Sequence, residues 1–395
     1  MVEPGITRML RPVVILGPTA GGKSELAVML AERLRAVANG EAGSSAGVAG
    51  VDEASGGTGG TGGTGGGGQI IGADSMQIYR HLNAGTAKPT PGQRARVPHH
   101  LIDIVEPTER FTVADWLAQA DAMIESLQSR GFTPIVVGGT NLYIKALLEG
   151  MFEGPAIDDA LRQKLNETDL HQLRARLEAV DPPAAARIHP NDRKRTVRAL
   201  EVFEQTGRRI SELQTQWGEE KGQEPRHEGT KARSDDGAVQ GESLGSSPLP
   251  PDHSTSLYRH DPILIGLAWP AEAINPRINL RVKAMFFPHS VPTEVAAEVV
   301  PTGENLIDET RRLKAAGLLG PQASKALGYQ QVLDHFDGKC SLDDAFERTK
   351  ILTRQYAKSQ RTWLKRYRGV HWIEAEHKSK EEIADEAMRI LGSGV

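Results

Sequence analysis

Short apolar runs alternate with longer stretches of helical spacing along much of this 395-residue chain. The runs are rich in Val and Ile and predict strands, at residues 12–16, 69–73, 134–137 and 263–267, with a last one near 370–374. The stretches between them repeat apolar residues every three or four positions and predict helices, at residues 24–37, 112–130 and 141–149. This alternation predicts an α/β fold, a parallel sheet flanked by helices.

The pattern also divides the chain into regions. Residues 1–150 and 261–395 carry the predicted strands and form the core, which ends in basic helices, the longest at 342–367. Residues 151–217 have helical spacing without a strand pattern, which predicts a small all-helical insertion domain. Residues 39–68 are mostly Gly, Ser, Thr and Ala, and residues 218–260 are polar and charged. Such segments bury too little to offset their ordering entropy, so flexible loops are expected, with a substrate lid as the alternative.

A phosphate-binding motif lies between the first predicted strand and the first predicted helix. Residues 17–24 fit G-x-x-x-x-G-K-[ST], a glycine-rich turn whose backbone N–H groups surround an anion. Lys23 can reach the outer phosphate, and the Ser24 hydroxyl can bind a Mg²⁺ that bridges two phosphates. The flanking strand and helix argue against a chance match. The predicted phosphate-binding residues are Gly17, Pro18, Thr19, Ala20, Gly21, Gly22, Lys23 and Ser24.

Two more predicted strands end in polar residues. Asp74 follows one strand directly, and Thr140 follows another after two glycines. Ligands of such sheets bind at the carboxyl ends of the strands, so both residues are expected to face the phosphate-binding turn. Asp74 could be a general base or a Mg²⁺ ligand, and capping of a turn is the alternative. The Thr140 hydroxyl could orient a substrate amine or cap the next helix.

Charge is unevenly distributed. The formal net charge of -4 does not indicate a nucleic-acid-binding protein. Two basic clusters nevertheless stand out, and their members are Arg193, Lys194, Arg195 and Arg198 in the first, and Arg348, Lys350, Arg354, Lys358, Arg361, Lys365, Arg366 and Arg368 in the second. A solvated helix face is the usual explanation, but two such runs in an acidic chain favour a phosphate backbone as partner. The aromatic residues Tyr329, Tyr356 and Trp363 lie among the second group and could either stack on bases or pack in the core.

Other features bear on location. The single cysteine, Cys340, cannot form an internal disulfide and fits a reducing compartment as an ordinary structural thiol. No apolar run reaches about 18 residues, so no spanning helix is expected. A core strand lies within the first sixteen residues, which leaves no room for a cleaved signal peptide. We therefore expect a cytoplasmic protein, and nothing in the sequence demands more than a monomer.

A series of longer motifs resembles a known family. They are Gly17–Ser24, Asp-Ser-Met-Gln-Ile-Tyr at 74–79, Gly-Thr-Ala-Lys-Pro at 85–89, His-His-Leu-Ile-Asp at 99–103, Gly-Gly-Thr-Asn-Leu-Tyr at 138–143, Arg-Ile-His-Pro-Asn-Asp at 187–192 and Thr-Arg-Gln-Tyr-Ala-Lys at 353–358. In this order they resemble the tRNA dimethylallyltransferases, over about residues 11–374. The phosphate-binding turn is shared by many enzymes, whereas the combination is specific to this family.

The resemblance implies a P-loop fold and transfer of a dimethylallyl group from its diphosphate to N6 of an adenosine. That adenosine lies 3′ of the anticodon in tRNAs that read codons beginning with U. It implies Mg²⁺ at Ser24, with Asp74 binding the ion through water, Asp74 and Thr140 as catalytic residues, and Arg354 as a second diphosphate ligand. The implied tRNA-binding residues are Asp74, Ser75, Met76, Gln77, Thr140, Arg162, Lys194, Arg195, Thr196, Val197, Arg198, Gly328, Tyr329, Gln330 and Lys358.

The chain departs from the family pattern in places, and other functions stay open. Gly21, Ser24 and Gly72 replace commoner residues, Ser359 stands where a basic residue is usual, and prolines interrupt residues 286–304. None of these changes removes a catalytic group. The alternatives are a prenyltransferase that acts on free adenine nucleotides, a P-loop small-molecule kinase, and an RNA-binding protein with a nucleotide switch.

Overall fold

The computed structural model describes residues 11–40, 66–152, 154–214 and 256–393. Most of both predicted flexible loops lies outside these residues. The chain divides into two compact units, one of Met1–Leu148 with Tyr258–Val395 and one of Glu149–Leu257. The sequence placed these boundaries at residues 150 and 260.

The first unit is built on one parallel sheet. Its strands in the described residues are β1 (Val13–Leu16), β2 (Gly68–Gly72), β3 (His99–His100), β4 (Thr133–Val137), β5 (Ile263–Ala268) and β6 (Val370–Glu374). They lie in the order β3-β2-β4-β1-β5-β6, and every neighbouring pair is parallel. The predicted α/β fold with a parallel sheet is therefore confirmed. The sequence missed β3 because a strand of two residues has no periodicity of its own.

Helices connect the strands. Those of the first unit are α1 (Lys23–Ala38), α2 (Pro91–Arg96), α3 (Val113–Ser129), α4 (Asn141–Glu149), α10 (Ala271–Phe286), α11 (Thr293–Val299), α12 (Leu306–Ala315), α13 (Tyr329–Phe336), α14 (Leu342–Leu364) and α15 (Lys380–Ser393), with short 3₁₀ turns at Pro288–Ser290 and Ala323–Lys325. The predicted helices agree with α1, α3 and α4 to within a residue at each end. The proline-rich stretch after Phe286 is the break between α10 and α11.

Both faces of the four inner strands of the sheet are buried, which explains why most of these strands are apolar runs. On β1, Val14 and Leu16 join the larger hydrophobic cluster, whereas Val13 and Ile15 join the cluster that contains α1 residues. The buried Trp116 ring of α3 stacks on Tyr143 of α4 with centroids 4.5 Å apart. Its indole N–H donates to the backbone carbonyl of Gly72 at 2.9 Å, so α3 fixes the end of β2, two residues before Asp74.

The second unit is helical in its described part. Its helices are α5 (Asp159–Glu167), α6 (Leu170–Val180), α7 (Pro182–Arg187), α8 (Arg193–Thr206) and α9 (Ile210–Leu213). Four of them begin with an Asp whose carboxylate accepts backbone N–H groups of the first turn, at Asp158, Asp169, Asp181 and Asp192. The unit has its own hydrophobic core, which includes Leu165, Leu173, Leu177 and Leu200. The apolar spacing of this segment thus corresponds to a packed helical body.

Candidate active site

The phosphate-binding turn connects β1 to α1. Gly22, the N-cap of α1, has φ 84°, a left-handed conformation that glycine adopts without steric cost. A side chain at Gly17 would place its Cβ 3.2 Å from Cβ of Leu267 on β5. The turn therefore packs closely on the sheet, with its N–H groups at the positive end of α1.

Two side chains after β5 hold this turn. The Trp269 indole N–H donates to the Gly21 carbonyl at 3.1 Å, and Arg277 Nε donates to the Ala20 carbonyl at 3.0 Å. The Arg277 guanidinium also lies over the Trp269 ring, 4.8 Å from its centroid. A Cβ at Gly21 would lie 3.3 Å from two atoms of this ring. Glycine at this position therefore leaves room for the indole to pack against the turn.

Lys23 is the buried cation of the site. Only 8% of the residue is exposed, and Nζ donates to the Pro18 carbonyl at 2.8 Å. Burial, with repulsion from Arg281, lowers the pKa of Lys23 to about 7, while Asp74 opposes the shift. Burial also lowers the pKa of Arg281, again against the attraction of Asp74. Two cations that repel each other beside a phosphate-binding turn define a site that an anion would stabilise.

Asp74 lies just beyond β2. Its Oδ1 accepts the backbone N–H of Met76 at 2.9 Å and that of Gln77 at 3.3 Å, so the carboxylate does cap the turn that follows. Oδ2 has no hydrogen-bond partner among the residues that the structure describes. It points toward Gly139, where a Cβ would lie 3.5 Å from it. One oxygen therefore fixes the carboxylate and the other stays available to a ligand, so capping does not exclude chemistry.

Thr140 connects the ends of β2 and β4. Its Oγ1 accepts the Ser75 N–H at 2.9 Å and donates to Ser75 Oγ at 3.1 Å, while its own N–H donates to the Ala73 carbonyl at 3.1 Å. The hydroxyl binds the Asp74–Ser75 segment and does not cap α4. The two predicted catalytic residues thus lie at adjacent strand ends of the same unit.

Two side chains of helix α14, one turn apart, contact the backbone just after β4. Gln360 Nε2 donates to the Gly139 carbonyl at 2.7 Å, and Gln360 Oε1 accepts the Thr19 N–H of the phosphate-binding turn at 2.8 Å. The Tyr356 hydroxyl donates to the same Gly139 carbonyl at 2.6 Å. This helix therefore links the phosphate-binding turn to the end of β4.

A buried carboxylate holds the neighbouring loop. Glu309 on α12 is fully buried, and its Oε1 accepts the Asn83 N–H at 2.9 Å and the Tyr329 hydroxyl at 2.5 Å. Burial raises the pKa of Glu309, although these donors oppose the shift. The loop that it fixes includes Thr86, whose carbonyl accepts the Gln77 side-chain N–H at 3.0 Å. Glu309 therefore supports the segment that follows Asp74.

The remaining predicted residues of the first unit lie in different environments. Arg354 donates to Asn279 on α10 at 2.8 Å, and Lys358 is exposed. Gly328 and Gln330 bond within α13, to Gln331 and Asp334. The ring of Tyr329 is fully buried, so its contacts in this structure are with protein atoms. Their predicted roles stay predictions.

In the second unit, two predicted tRNA contacts share one carboxylate. Glu201 is fully buried, and its Oε2 accepts Arg162 at 2.5 Å and Arg198 at 2.7 Å. Both guanidiniums are partly exposed, as are the side chains at the start of α8. Lys194 and Arg195 are exposed on that turn, whereas Thr196 and Val197 are buried. Contact of these two with a ligand would therefore involve little of their side chains.

Sequence reasoning missed several residues of the site, namely Trp269, Arg277, Arg281, Glu309 and Gln360. A signal existed for the two arginines, because Arg277 and Arg281 are four positions apart after a predicted strand and so share one helix face. No local pattern marks Gln360 or Glu309, whose partners lie far away in the sequence.

Within the described residues, no helix has the length and apolarity needed to cross a membrane.

Taken together, the sheet, the turn and the acid at the strand end define a protein of P-loop fold with a carboxylate at the strand end next to β4. Comparison with known proteins gives the family. The family described as IPP transferase matches residues 77–367, so the chain belongs to it. The match begins after the phosphate-binding turn at residues 17–24.

Individual relatives agree with this assignment. The chain is 36% identical to the tRNA dimethylallyltransferase of Geobacter sulfurreducens, with 96% of each chain covered. The crystal structure of a tRNA isopentenylpyrophosphate transferase from Bacillus halodurans is similar, with 29% identity, 97% of both chains covered and a TM-score of 0.56. A eukaryotic dimethylallyltransferase acting on tRNA shares the fold, with a TM-score of 0.64 at 22% identity over 95% of this chain and 77% of the other.

Proposed function

We propose that this protein transfers a dimethylallyl group from dimethylallyl diphosphate to N6 of the adenosine 3′ of the anticodon in tRNAs that read codons starting with U. The observation that carries the proposal is the Asp74 carboxylate, whose Oδ2 has no hydrogen-bond partner in the described parts of the chain and which interacts electrostatically with Lys23 and Arg281 at the phosphate-binding turn. The family, whose relatives are named for this reaction, supports the choice of substrates.

The donor's diphosphate would bind to the N–H groups of residues 17–24. Lys23 and Arg281 would neutralise its charge as the allylic C–O bond breaks, because the negative charge of the leaving group grows in the transition state. An anion at this point also favours the protonated form of Lys23. In the free protein the Thr19 N–H donates to Gln360 and Lys23 to Pro18, so donor binding would exchange these contacts for phosphate oxygens.

The acceptor's exocyclic amine would lie at Asp74 Oδ2. An adenine amine is a poor nucleophile because its lone pair is delocalised, so removal of its proton during attack is worth about 10²–10⁴-fold. Oδ1 stays bound to the Met76 N–H and keeps the carboxylate in place. Thr140 would hold the Asp74–Ser75 segment in position by accepting the Ser75 N–H. The target base must leave its stack to reach this site.

The oxygen donors at the site fit Mg²⁺, which prefers carboxylate, hydroxyl and water oxygens. Ser24 is exposed in the first turn of α1 and would bind the ion directly, and Asp74 would bind it through water. When bound, the ion would neutralise charge on the diphosphate. Arg354 is the further candidate for the diphosphate, although it is bound to Asn279 in this structure.

The tRNA would contact basic surfaces of each unit. Candidates in the first unit are the exposed Lys358 and the turn after Asp74, and in the second unit the exposed start of α8 with Arg162 and Arg198. Phosphate contacts of this kind supply affinity without sequence information. We further propose that the protein works as a monomer in the cytoplasm, where its substrate tRNAs are used.

The test is a labelled-donor assay with Mg²⁺ and three acceptors in parallel: unmodified tRNA with the target adenosine, the same tRNA with guanosine at that position, and AMP. The proposal predicts label on the first acceptor alone. Label on AMP would support a nucleotide prenyltransferase instead. No label on any acceptor, with ATP consumed in a separate reaction, would overturn the proposal in favour of a kinase.

A further inference from the structure

Three aromatic residues near the basic C-terminal helices could stack on bases or pack in the core, and the structure separates them. Tyr329 is fully buried and donates its hydroxyl to Glu309. Trp363 is partly buried, with Lys145 and Arg366 at 5.5 Å and 5.0 Å from its ring centroid. Tyr356 alone of the three is exposed, at 41%. It is therefore the one of the three with the largest exposed fraction, and the best placed to contact a ligand.

The Tyr356 ring is exposed but its far end is fixed. The hydroxyl donates to the Gly139 carbonyl at 2.6 Å, and the same carbonyl accepts Gln360 Nε2 at 2.7 Å. Burial of the hydroxyl and the nearby Asp74 charge raise the pKa of Tyr356, so the phenol stays neutral and keeps donating. A ring held at one end loses little further freedom on binding a flat partner.

The Tyr356 side chain lies beside Asp74, the proposed general base. The position that a Cβ would take at Gly139 is 3.5 Å from Asp74 Oδ2 and 3.8 Å from the Tyr356 hydroxyl oxygen. The same position is 2.8 Å from Gln360 Nε2, so the carboxylate oxygen, the phenol and this amide all lie close to Gly139. A purine whose exocyclic amine reaches Asp74 Oδ2 would bring its flat ring close to the side chain of Tyr356.

We propose that the exposed ring of Tyr356 is the surface on which the acceptor base stacks, with its hydroxyl anchored on the Gly139 carbonyl beside Asp74. The inference rests on the proposed function and adds a binding residue to it. Stacking of a base on an aromatic side chain is sequence-tolerant, because every base has a π-face. Tyr356 would then stabilise the unstacked base, and Asp74 would act on its amine.

The test uses three variants. Tyr356→Leu removes the ring and keeps an apolar side chain, and Tyr356→Phe keeps the ring and removes the anchor. Ile351→Ala changes another exposed residue of α14 and is the matched control. Each is assayed with an anticodon stem-loop as acceptor, and melting temperatures confirm that each is folded. The proposal predicts that Tyr356→Leu raises the KM for the stem-loop about 5- to 150-fold and leaves the KM for dimethylallyl diphosphate unchanged.

A second readout does not depend on turnover. A stem-loop with 2-aminopurine at the target position cannot react, since it lacks the amine at that ring position, and its fluorescence is quenched by stacking. We expect the wild type, Tyr356→Phe and Ile351→Ala to quench it, and Tyr356→Leu to leave the bound probe bright.

Equal quenching by all four proteins, or an unchanged KM for the stem-loop in Tyr356→Leu, would overturn the inference. A change confined to the KM for the donor would also overturn it, because the ring would then contact the prenyl chain. Failure of the proposed function is recognisable separately, since the wild type would then transfer no label to the stem-loop at all.

Discussion

Replacing Lys23 by Met should abolish activity and yet make the free protein more stable. Lys23 is the only long side chain of the phosphate-binding turn, and it is 8% exposed next to the backbone carbonyl of Pro18. Burial and the repulsion of Arg281 lower the pKa of Lys23, which means that the ammonium charge destabilises the ligand-free protein. Met has a similar length and no charge, so it removes this cost without leaving a cavity.

The magnitude follows from the pKa. It falls from 10.5 to about 7, and each pKa unit corresponds to about 1.4 kcal/mol. The cost of the buried charge is then about 5 kcal/mol below pH 7, an upper bound because the substitution also removes the bond to Pro18. Between pH 7 and 10.5 the unfolded chain binds more protons at this residue than the folded one. The wild type therefore gains stability as pH rises through this window, and the advantage of Lys23→Met should shrink.

The assay is chemical denaturation followed by tryptophan fluorescence at pH 6.5 and pH 9.5, together with tRNA binding and single-turnover transfer at pH 7.5. We expect a higher free energy of unfolding for Lys23→Met at pH 6.5, a smaller advantage at pH 9.5, unchanged tRNA binding and no transfer. A variant that is less stable than the wild type at pH 6.5 would refute the reasoning. So would an advantage that grows with pH.

Further predictions concern the support of the site. Gly138→Ala would place a Cβ 2.1 Å from the Ala73 carbonyl oxygen, so we expect a loss of stability of about 1–3 kcal/mol or more, seen as a lower melting temperature. Gly139→Ala is the matched comparison, because the nearest atom, at 2.8 Å, is the end of the Gln360 side chain and not backbone; it should lower the melting temperature less, and it should reduce transfer because Gln360 holds the Thr19 N–H. Glu309→Ala leaves buried donors unpaired and should cost about 3–5 kcal/mol, whereas Glu309→Gln keeps an acceptor and should cost clearly less. Equal melting temperatures within either pair would contradict these assignments.

The sheet could be predicted from sequence because its strands are short, continuous apolar runs between longer helical patterns. Both faces of β1 are buried, and the strand Val13–Leu16 is accordingly apolar at every position. The phosphate-binding turn could be predicted because its function requires particular residues at fixed spacing. Asp74 and Thr140 could be placed together because the carboxyl ends of parallel strands meet at one edge.

The rest of the site depends on contacts between residues far apart in the chain. Gln360 binds the Thr19 N–H 341 positions away, and Glu309 binds the Asn83 N–H 226 positions away. No spacing rule connects such pairs. Tyr329 and Tyr356 show the same limit, because both are tyrosines among basic helices and only the structure shows that one ring is buried and the other exposed.

The central claim is that Asp74 accepts the proton of the acceptor amine while the turn at 17–24 holds the diphosphate. The most direct measurement is the single-turnover rate of transfer to tRNA for the wild type and Asp74→Asn, with donor and tRNA binding measured for both. The amide keeps an oxygen for the Met76 N–H but cannot take a proton. We predict a rate about 10²–10⁴-fold lower with both substrates still bound. A rate within tenfold of the wild type, with both substrates bound, would contradict the account.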